Sequence, residues 1–481
     1  MIRTMLGLSA FILLMLTPAS ALCQQASLPE RAAAGLRKAC GYLRDKVSAE
    51  GGYLWRYSAD LSKREGEGKA TATQVWVQPP GTPTVGQVWL DAHHATGDRY
   101  YLDGAVATAH ALVRGQLISG GWDYSIDFDP AKRKAIAYHA DNNVAGKKNV
   151  STLDDDTTQA ALRFLMNVDH ALGRKDVKIK GAVEYALEKL VKAQYPNGAW
   201  PQRFSESPDP AKFPAKKANY PESWPREHPA KDYKGYYTFN DNSIATMIDT
   251  MLLATSHYDE PRYRQAALKA GDFMILAQMP EPQPGWAQQY DLDMQPAWAR
   301  KFEPPAVTGG ESQGVMRSLL KLYAESGDKK FLEPIPRALA YYRKSLLPNG
   351  QLARFYELKT NRPLYFTKKY ELTYKDDDMP THYGFKVGQK LDQIAKEYER
   401  LIKLSPNELK KKKPSERPKV TDALIAQVES VLKSMDADGR WVDKGKLKSQ
   451  GADDTTAQII NVATFNRNVA VLSRYLAATR K

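Results

Sequence analysis

The chain has 481 residues, 42% hydrophobic and 26% charged, and its 69 Lys and Arg against 55 Asp and Glu leave a formal charge of +14. That composition is too apolar for a disordered protein. Only two cysteines, Cys23 and Cys40, exclude a disulfide scaffold and a cysteine-based zinc or iron–sulfur site.

Residues 1–21 carry an early Arg3, an apolar run from Met5 to Leu16, then Pro18 and Ala19-Ser20-Ala21. This is the three-part pattern of a secretory signal peptide, so the expected location is outside the cytoplasm, secreted or periplasmic. The run is too short for a comfortable membrane span, and no stable insertion is expected. Export and scattered charge argue against a nucleic-acid partner.

A glycine–aromatic element then returns along the chain: Gly51-Gly52-Tyr53-Leu54-Trp55, Gly120-Gly121-Trp122, Gly198-Ala199-Trp200, Gly285-Trp286, Gly350 with Phe355-Tyr356, and Gly439-Arg440-Trp441. Between these elements apolar residues recur at three- and four-residue steps, over 156–172, 182–194, 243–258, 264–278 and 312–326. Alternating strand patterns are scarce. Helical hairpins that cannot bury a face alone predict an all-α fold, an α/α toroid with long rim loops. Two stretches read as insertions: 205–234, rich in Pro and Lys, and the basic 386–419, expected as a solvated helix and linker.

Four groups could carry chemistry. Asp154-Asp155-Asp156 and Asn240-Asp241-Asn242 each precede a helical run. Acids there are ordinary helix caps, yet clustered carboxylates and amide oxygens are also what a hard cation such as Ca²⁺ requires. Asp453-Asp454-Thr455-Thr456 repeats the pattern before another helix, which shows that capping alone can produce it. The segments 296–305 and 353–369 mix aromatics with Arg300, Lys301, Arg354 and Lys368. On rim loops such a mixture suits an acidic sugar: rings stack on its faces and guanidinium forks hold its carboxylates. Signatures of serine hydrolases, zincins and nucleotide binders are missing from the chain.

GAWPQRF (198–204), TFNDN (238–242), GWAQQYD (285–291), PAWARKFEPP (296–305), GGES (309–312) and RFYELKTNRP (354–363) stand in this order. Together they resemble the family 10 polysaccharide lyases, the pectic acid lyases, over roughly residues 110–385. The resemblance implies a catalytic core at 111–385, preceded by helical hairpins at 22–110 and followed, after 386–419, by closing helices at 420–481. It implies calcium-dependent β-elimination on polygalacturonate (pectate). In that reading Asp154, Asp155 and Asp241 bind Ca²⁺, Arg300 is the Brønsted base, and Arg354 and Lys368 hold substrate carboxylates. Asp155 stands where the family usually has Asn, and Lys368 where it usually has Arg. An arginine base is chemically awkward because its pKa normally exceeds 12; either Lys301 and the metal lower it or a high working pH helps, and the sequence does not decide between them. Two other readings are a glycoside hydrolase using Asp154 and Asp241, and a non-catalytic binder of acidic polysaccharide.

Overall fold

The computed structural model describes residues 26–230, 232–411 and 417–480. The signal-peptide pattern, Cys23 and Lys412-Lys413 of the Lys410–Lys413 run lie outside them. Fourteen helices occur among the described residues. They are α1 (Leu28–Tyr42), α2 (Thr82–Thr96), α3 (Arg99–Gly115), the short α4 (Pro130–Arg133), α5 (Thr157–Ala171), α6 (Val177–Lys192) and α7 (Ser243–Tyr258). Then come α8 (Pro261–Leu276), α9 (Glu311–Ser326), α10 (Pro334–Lys344), α11 (Leu391–Leu401), the short α12 (Pro406–Lys410), α13 (Asp422–Lys433) and α14 (Val462–Thr479).

The inner course runs α14, α2, α5, α7, α9, each helix packed on the next. The outer helices return against it: α1 and α13 on α14, α3 on α2, α6 on α5, and α8 on α7 and α9. This is the α/α toroid. Inner helices meet neighbours on several sides, which is why Ala161, Leu162, Leu165, Met166 and Val168 of α5 are all buried and its apolar stripe is wide. The 386–419 stretch is not all solvated linker. Leu391, Ile394, Ala395 and Leu401 of α11 are buried, and α11 packs on α9 and α10. No described helix is long and apolar enough to cross a membrane.

The repeating glycine–aromatic element has a mechanical role. Trp122, Trp200, Trp286 and Trp441 donate their indole N–H groups to Leu112, Leu190, Met274 and Val431 carbonyls at 2.7–3.0 Å. Each acceptor lies near the end of the preceding outer helix, where carbonyls lack helical partners. One ring therefore satisfies a helix terminus while filling the core, contributing about 0.5–1.5 kcal/mol through the hydrogen bond beyond its apolar burial. The glycine is sterically required at Gly121, where a Cβ would come within 2.6 Å of Thr158 Oγ1. Trp122, Trp200 and Trp286 are at most 1% exposed.

Strands of two to four residues tie the rim loops together, too short to show a period-two pattern in sequence. Ser151–Thr152 pairs with Arg203–Phe204, and Tyr237–Thr238 pairs with Gln289–Tyr290. Strands Ala306–Thr308, Phe355–Glu357, Pro363–Phe366 and Leu372–Thr373 form a larger sheet. Trp298, Phe302, Phe355 and Phe366 pack beneath this rim in a second apolar cluster, at most 9% exposed. These rings, expected to stack on sugar, instead hold the loops in place.

Candidate functional site

Two short strands lead into two turns of the same conformation. Leu153 and Phe239 sit at φ −99° and −101°, both with ψ 0°. Then Asp155 and Asp156 take φ +51° and +61°, and Asp241 and Asn242 take +48° and +57°. Two successive left-handed residues without glycine are costly, and Asp and Asn tolerate the conformation best. Neither Asp156 nor Asn242 accepts a side-chain cap bond, unlike Asp98 of α3 and Asp176 of α6, which cap in the ordinary way. Capping therefore does not explain these acids. The Asp453–Thr456 copy is different again. Asp454 pairs with Lys63 at 2.7 Å, and α14 follows only after the strand Gln458–Asn461, with Asn461 as its cap.

The turns bring Asp154, Asp155 and Asp241 together, one carboxylate oxygen from each within 4.8 Å of the others. Asp156 turns away and pairs with Arg163 at 2.6 Å. Tyr124 donates its hydroxyl to Asp154 Oδ2 at 3.0 Å, and Asp154 Oδ1 is buried without a hydrogen-bond partner. Burial and the charges of Asp154 and Glu67 push Asp155 up to about 6. Burial, then Asp155 and Asp154, push Asp241 up to about 7. Three crowded oxygens with an orphaned lone pair fit a hard divalent cation, which would relieve their mutual repulsion.

Beside this cluster stands Arg300, whose positive charge lowers both Asp155 and Asp241. Glu303, only 2% exposed, takes Arg300 Nε at 2.9 Å, Nη2 at 2.6 Å and the backbone N–H at 3.0 Å. Among the described residues Nη1 has no hydrogen-bond partner. Burial alone would lower the guanidinium, but Glu303 reverses this and holds it well above the ordinary arginine value. The expected lowering by Lys301 is not found. Its ammonium lies 3.8 Å over the Tyr370 ring.

Arg354 completes the cationic side. It donates to Glu311 at 2.9 Å and to the Gly384 carbonyl at 2.7 Å, with its guanidinium 4.7 Å over Tyr383. Tyr383 also lies 5.5 Å from the Arg300 guanidinium and donates its hydroxyl to Glu303 at 2.9 Å. Lys368 is placed differently: its ammonium is exposed on a hairpin and paired with Asp378 at 3.1 Å. Sequence reasoning did not single out Tyr124, Arg203, Glu303, Glu311, Tyr383 or Glu67. Arg203 and Glu303 stand inside segments that were read, and Glu303 follows Arg300 by one helical turn's spacing. For Glu67, in a loop of 64–69 far from those segments, no local signal existed.

The family model described as pectic acid lyase matches residues 116–386 of the chain. Among curated proteins none matches. A solved family 10 polysaccharide lyase from Cellvibrio cellulosa is similar at 22% identity, over 67% of this chain and 98% of that one, with a TM-score of 0.46. An aspartate-to-alanine mutant of that lyase, in complex with trigalacturonic acid, aligns at 21% identity over 66% and 98%, with a TM-score of 0.46. A D-mannose isomerase aligns at 13% identity over 94% and 99%, with a TM-score of 0.44.

Proposed function

The chain belongs to the pectic acid lyase family, and from that premise we propose that this polysaccharide lyase cleaves polygalacturonate by calcium-dependent β-elimination. The observation that carries the proposal is the convergence of Asp154, Asp155 and Asp241 within 4.8 Å beside the Arg300 guanidinium. Calcium held there would neutralise the substrate carboxylate and make the adjacent C5 proton more acidic. Arg354, anchored on Glu311 and Gly384, is positioned to hold a sugar carboxylate in the ground state.

Arg300 Nη1, in the neutral guanidine, would take the C5 proton; the electron pair forms the C4–C5 double bond, and the C4–O4 bond breaks with its electron pair leaving on O4, which takes a proton from water. The Glu303 fork holds Nε and Nη2 and so fixes the guanidinium plane, and among the described residues Nη1 keeps no hydrogen-bond partner. It also makes the neutral guanidine rare and strongly basic. The rate should therefore climb with pH over the whole range in which the fold survives.

A hydrolase using Asp154 and Asp241 fits less well. Inverting enzymes keep their two carboxyl groups about 6.5–9.5 Å apart to admit water, and here a third carboxylate shares the space. A binder without turnover is separated by assay. Ultraviolet absorbance should grow on polygalacturonate and stop in excess chelator, while helical circular dichroism stays nearly intact. Arg300→Lys should keep oligogalacturonate affinity and lose turnover; retention of more than about a tenth removes the base assignment. Export belongs to the same proposal, checked by the N-terminus of the mature protein. Activity that persists in chelator would sink the calcium assignment.

A further inference from the structure

Arg203 pairs in register with Thr152, two residues before Asp154, and so stands at the Asp154 end of the site. Its side chain is half-buried. Nη2 lies 3.5 Å from the Tyr124 hydroxyl, which itself donates to Asp154, and Nε is buried without a hydrogen-bond partner. The other two arginines of the site each have a carboxylate: Arg300 has Glu303 at 2.6 Å and Arg354 has Glu311 at 2.9 Å. Among the described residues Arg203 has none. The acids near it are engaged elsewhere, since Asp123 pairs with Lys148 at 2.6 Å and Asp154 faces the cluster. Burial opposes the charge of Arg203, while Tyr124, Asp154 and Asp123 outweigh it and keep the guanidinium protonated. A half-buried cation in that position is costly until an anion arrives to share it.

The charges around the outer arginines show which ends they occupy. Arg203 stands among Tyr124, Asp154 and Asp123, whereas Arg354 stands among Glu311, Tyr383 and Glu303. The cluster and Arg300 therefore lie between them. Tyr233, whose carbonyl accepts Gln289 Nε2 at 2.8 Å, is within reach of Arg300, Glu303, Asp154 and Arg203 together, so Arg203 and Arg300 border one space. We propose that Arg203 holds the free carboxylate of the galacturonate next to the one seated at the Asp154–Arg300 centre, at the opposite end from Arg354. This assignment rests on the lyase reading above. The edge made by Nη1 and Nη2 takes both oxygens of a carboxylate; a methyl ester there brings no charge to the fork. Arg203 is thus a specificity-determining residue, favouring stretches in which adjacent sugars are both unesterified.

The test compares initial rates of ultraviolet absorbance growth on polygalacturonate and on pectin with about half of its carboxyls methylated, and measures calcium affinity by calorimetry without substrate. Arg203→Gln should raise KM on polygalacturonate about tenfold or more, as expected for a lost charge-assisted hydrogen bond, with a much smaller change in kcat. On the half-methylated polymer the rise should be smaller, because many neighbouring sugars already lack the charge. Arg203→Lys keeps the charge and loses the fork, so it should fall between, and it carries the test if the Gln variant does not fold. Calcium affinity should stay within about threefold of wild type, since Tyr124 stands between Arg203 and Asp154. An unmoved KM, or the same rise on both polymers, overturns the assignment. So does a larger shift in calcium affinity that accounts for the loss, because Arg203 would then serve Asp154 and not the substrate. A wild type that never cleaves polygalacturonate overturns the lyase reading instead.

Discussion

The turns at 153–156 and 239–242 share a backbone and differ in side chains. Aligned by φ, Asp154 corresponds to Asn240, Asp155 to Asp241, and Asp156 to Asn242. The first turn carries three acids and the second only one. Yet the cluster takes two from the first and one from the second, because Asp156 is held aside by Arg163. Backbone conformation, rather than acid count, decides which oxygens meet. In the equivalent positions Asp155 and Asp241, the left-handed residue points the carboxyl at the other turn. The contrast also separates two uses of aspartate in one chain: Asp98 and Asp176 complete helices, whereas these three face one another at an energetic cost.

The largest effect should come from removing the second turn's single acid. Asp241→Asn leaves the second turn with no carboxylate and should lower turnover on polygalacturonate by about 10²-fold or more, with calcium titration no longer restoring it. Initial rates against calcium concentration check this; a variant within tenfold of wild type would break the link between the turns.

The next expectation concerns the charge that opposes the cluster. Glu303→Gln removes the fork that keeps Arg300 protonated. Its kcat should fall as the guanidinium loses its fixed plane, while the rise of rate with pH, unbroken in wild type, should bend toward a plateau at high pH as neutral guanidine becomes commoner. A lower kcat with an unmoved profile would leave Glu303 as packing and count against Arg300 as base.

A smaller effect lies in stability without metal. The folded-state values of Asp155 and Asp241 are raised to about 6 and about 7. The folded chain therefore binds more protons than the unfolded chain between about pH 4 and 7, and stability falls as pH rises through that window. Asp241→Asn carries no such charge. In chelator its Tm should match wild type near pH 4 and exceed it by roughly 1–3 °C at pH 8. Millimolar calcium should reverse the order at pH 8. Equal melting curves at both pH values would contradict the crowding of the three carboxyls.

Least affected should be Asp156→Asn, which makes the first turn's last residue the same as Asn242. It loses a bridge to Arg163 whose two side chains are 28% and 24% exposed, so activity should stay within about twofold and Tm within about a degree or two. A large loss of calcium response there would extend the site to a fourth acid.

Much of this site was legible before any coordinates. Asp154, Asp155 and Asp241 stood in two similar acidic segments before helical runs, and both α5 and α7 begin within a residue of where the apolar spacing begins. What misled was also local. Asp453-Asp454 has the same letters but leads into a strand, and the aromatics around Arg300 and Arg354 read as sugar platforms although Phe355 is fully buried and Trp298 is 6% exposed. Residue type does not reveal which face of a loop is covered. The basic stretch after 386 misled for the opposite reason, since its buried Leu391, Ile394, Ala395 and Leu401 are diluted by charge.

The sequence by itself determined the helical hairpins, the recurring tryptophan that closes outer helices, and the identity of the acids and arginines available for chemistry. These follow from three- and four-residue spacing and from fixed side-chain chemistry, which act within a few turns of chain. The tertiary structure decided the rest: that Asp156 is excluded, that Glu303 and Tyr383 hold Arg300, that Arg354 rests on Glu311, and that Lys368 sits apart with Asp378. Those outcomes depend on left-handed turns and on loops from distant hairpins meeting at one rim. A carboxylate's partner is set by which oxygen is nearest in space, and no periodicity along the chain encodes that distance.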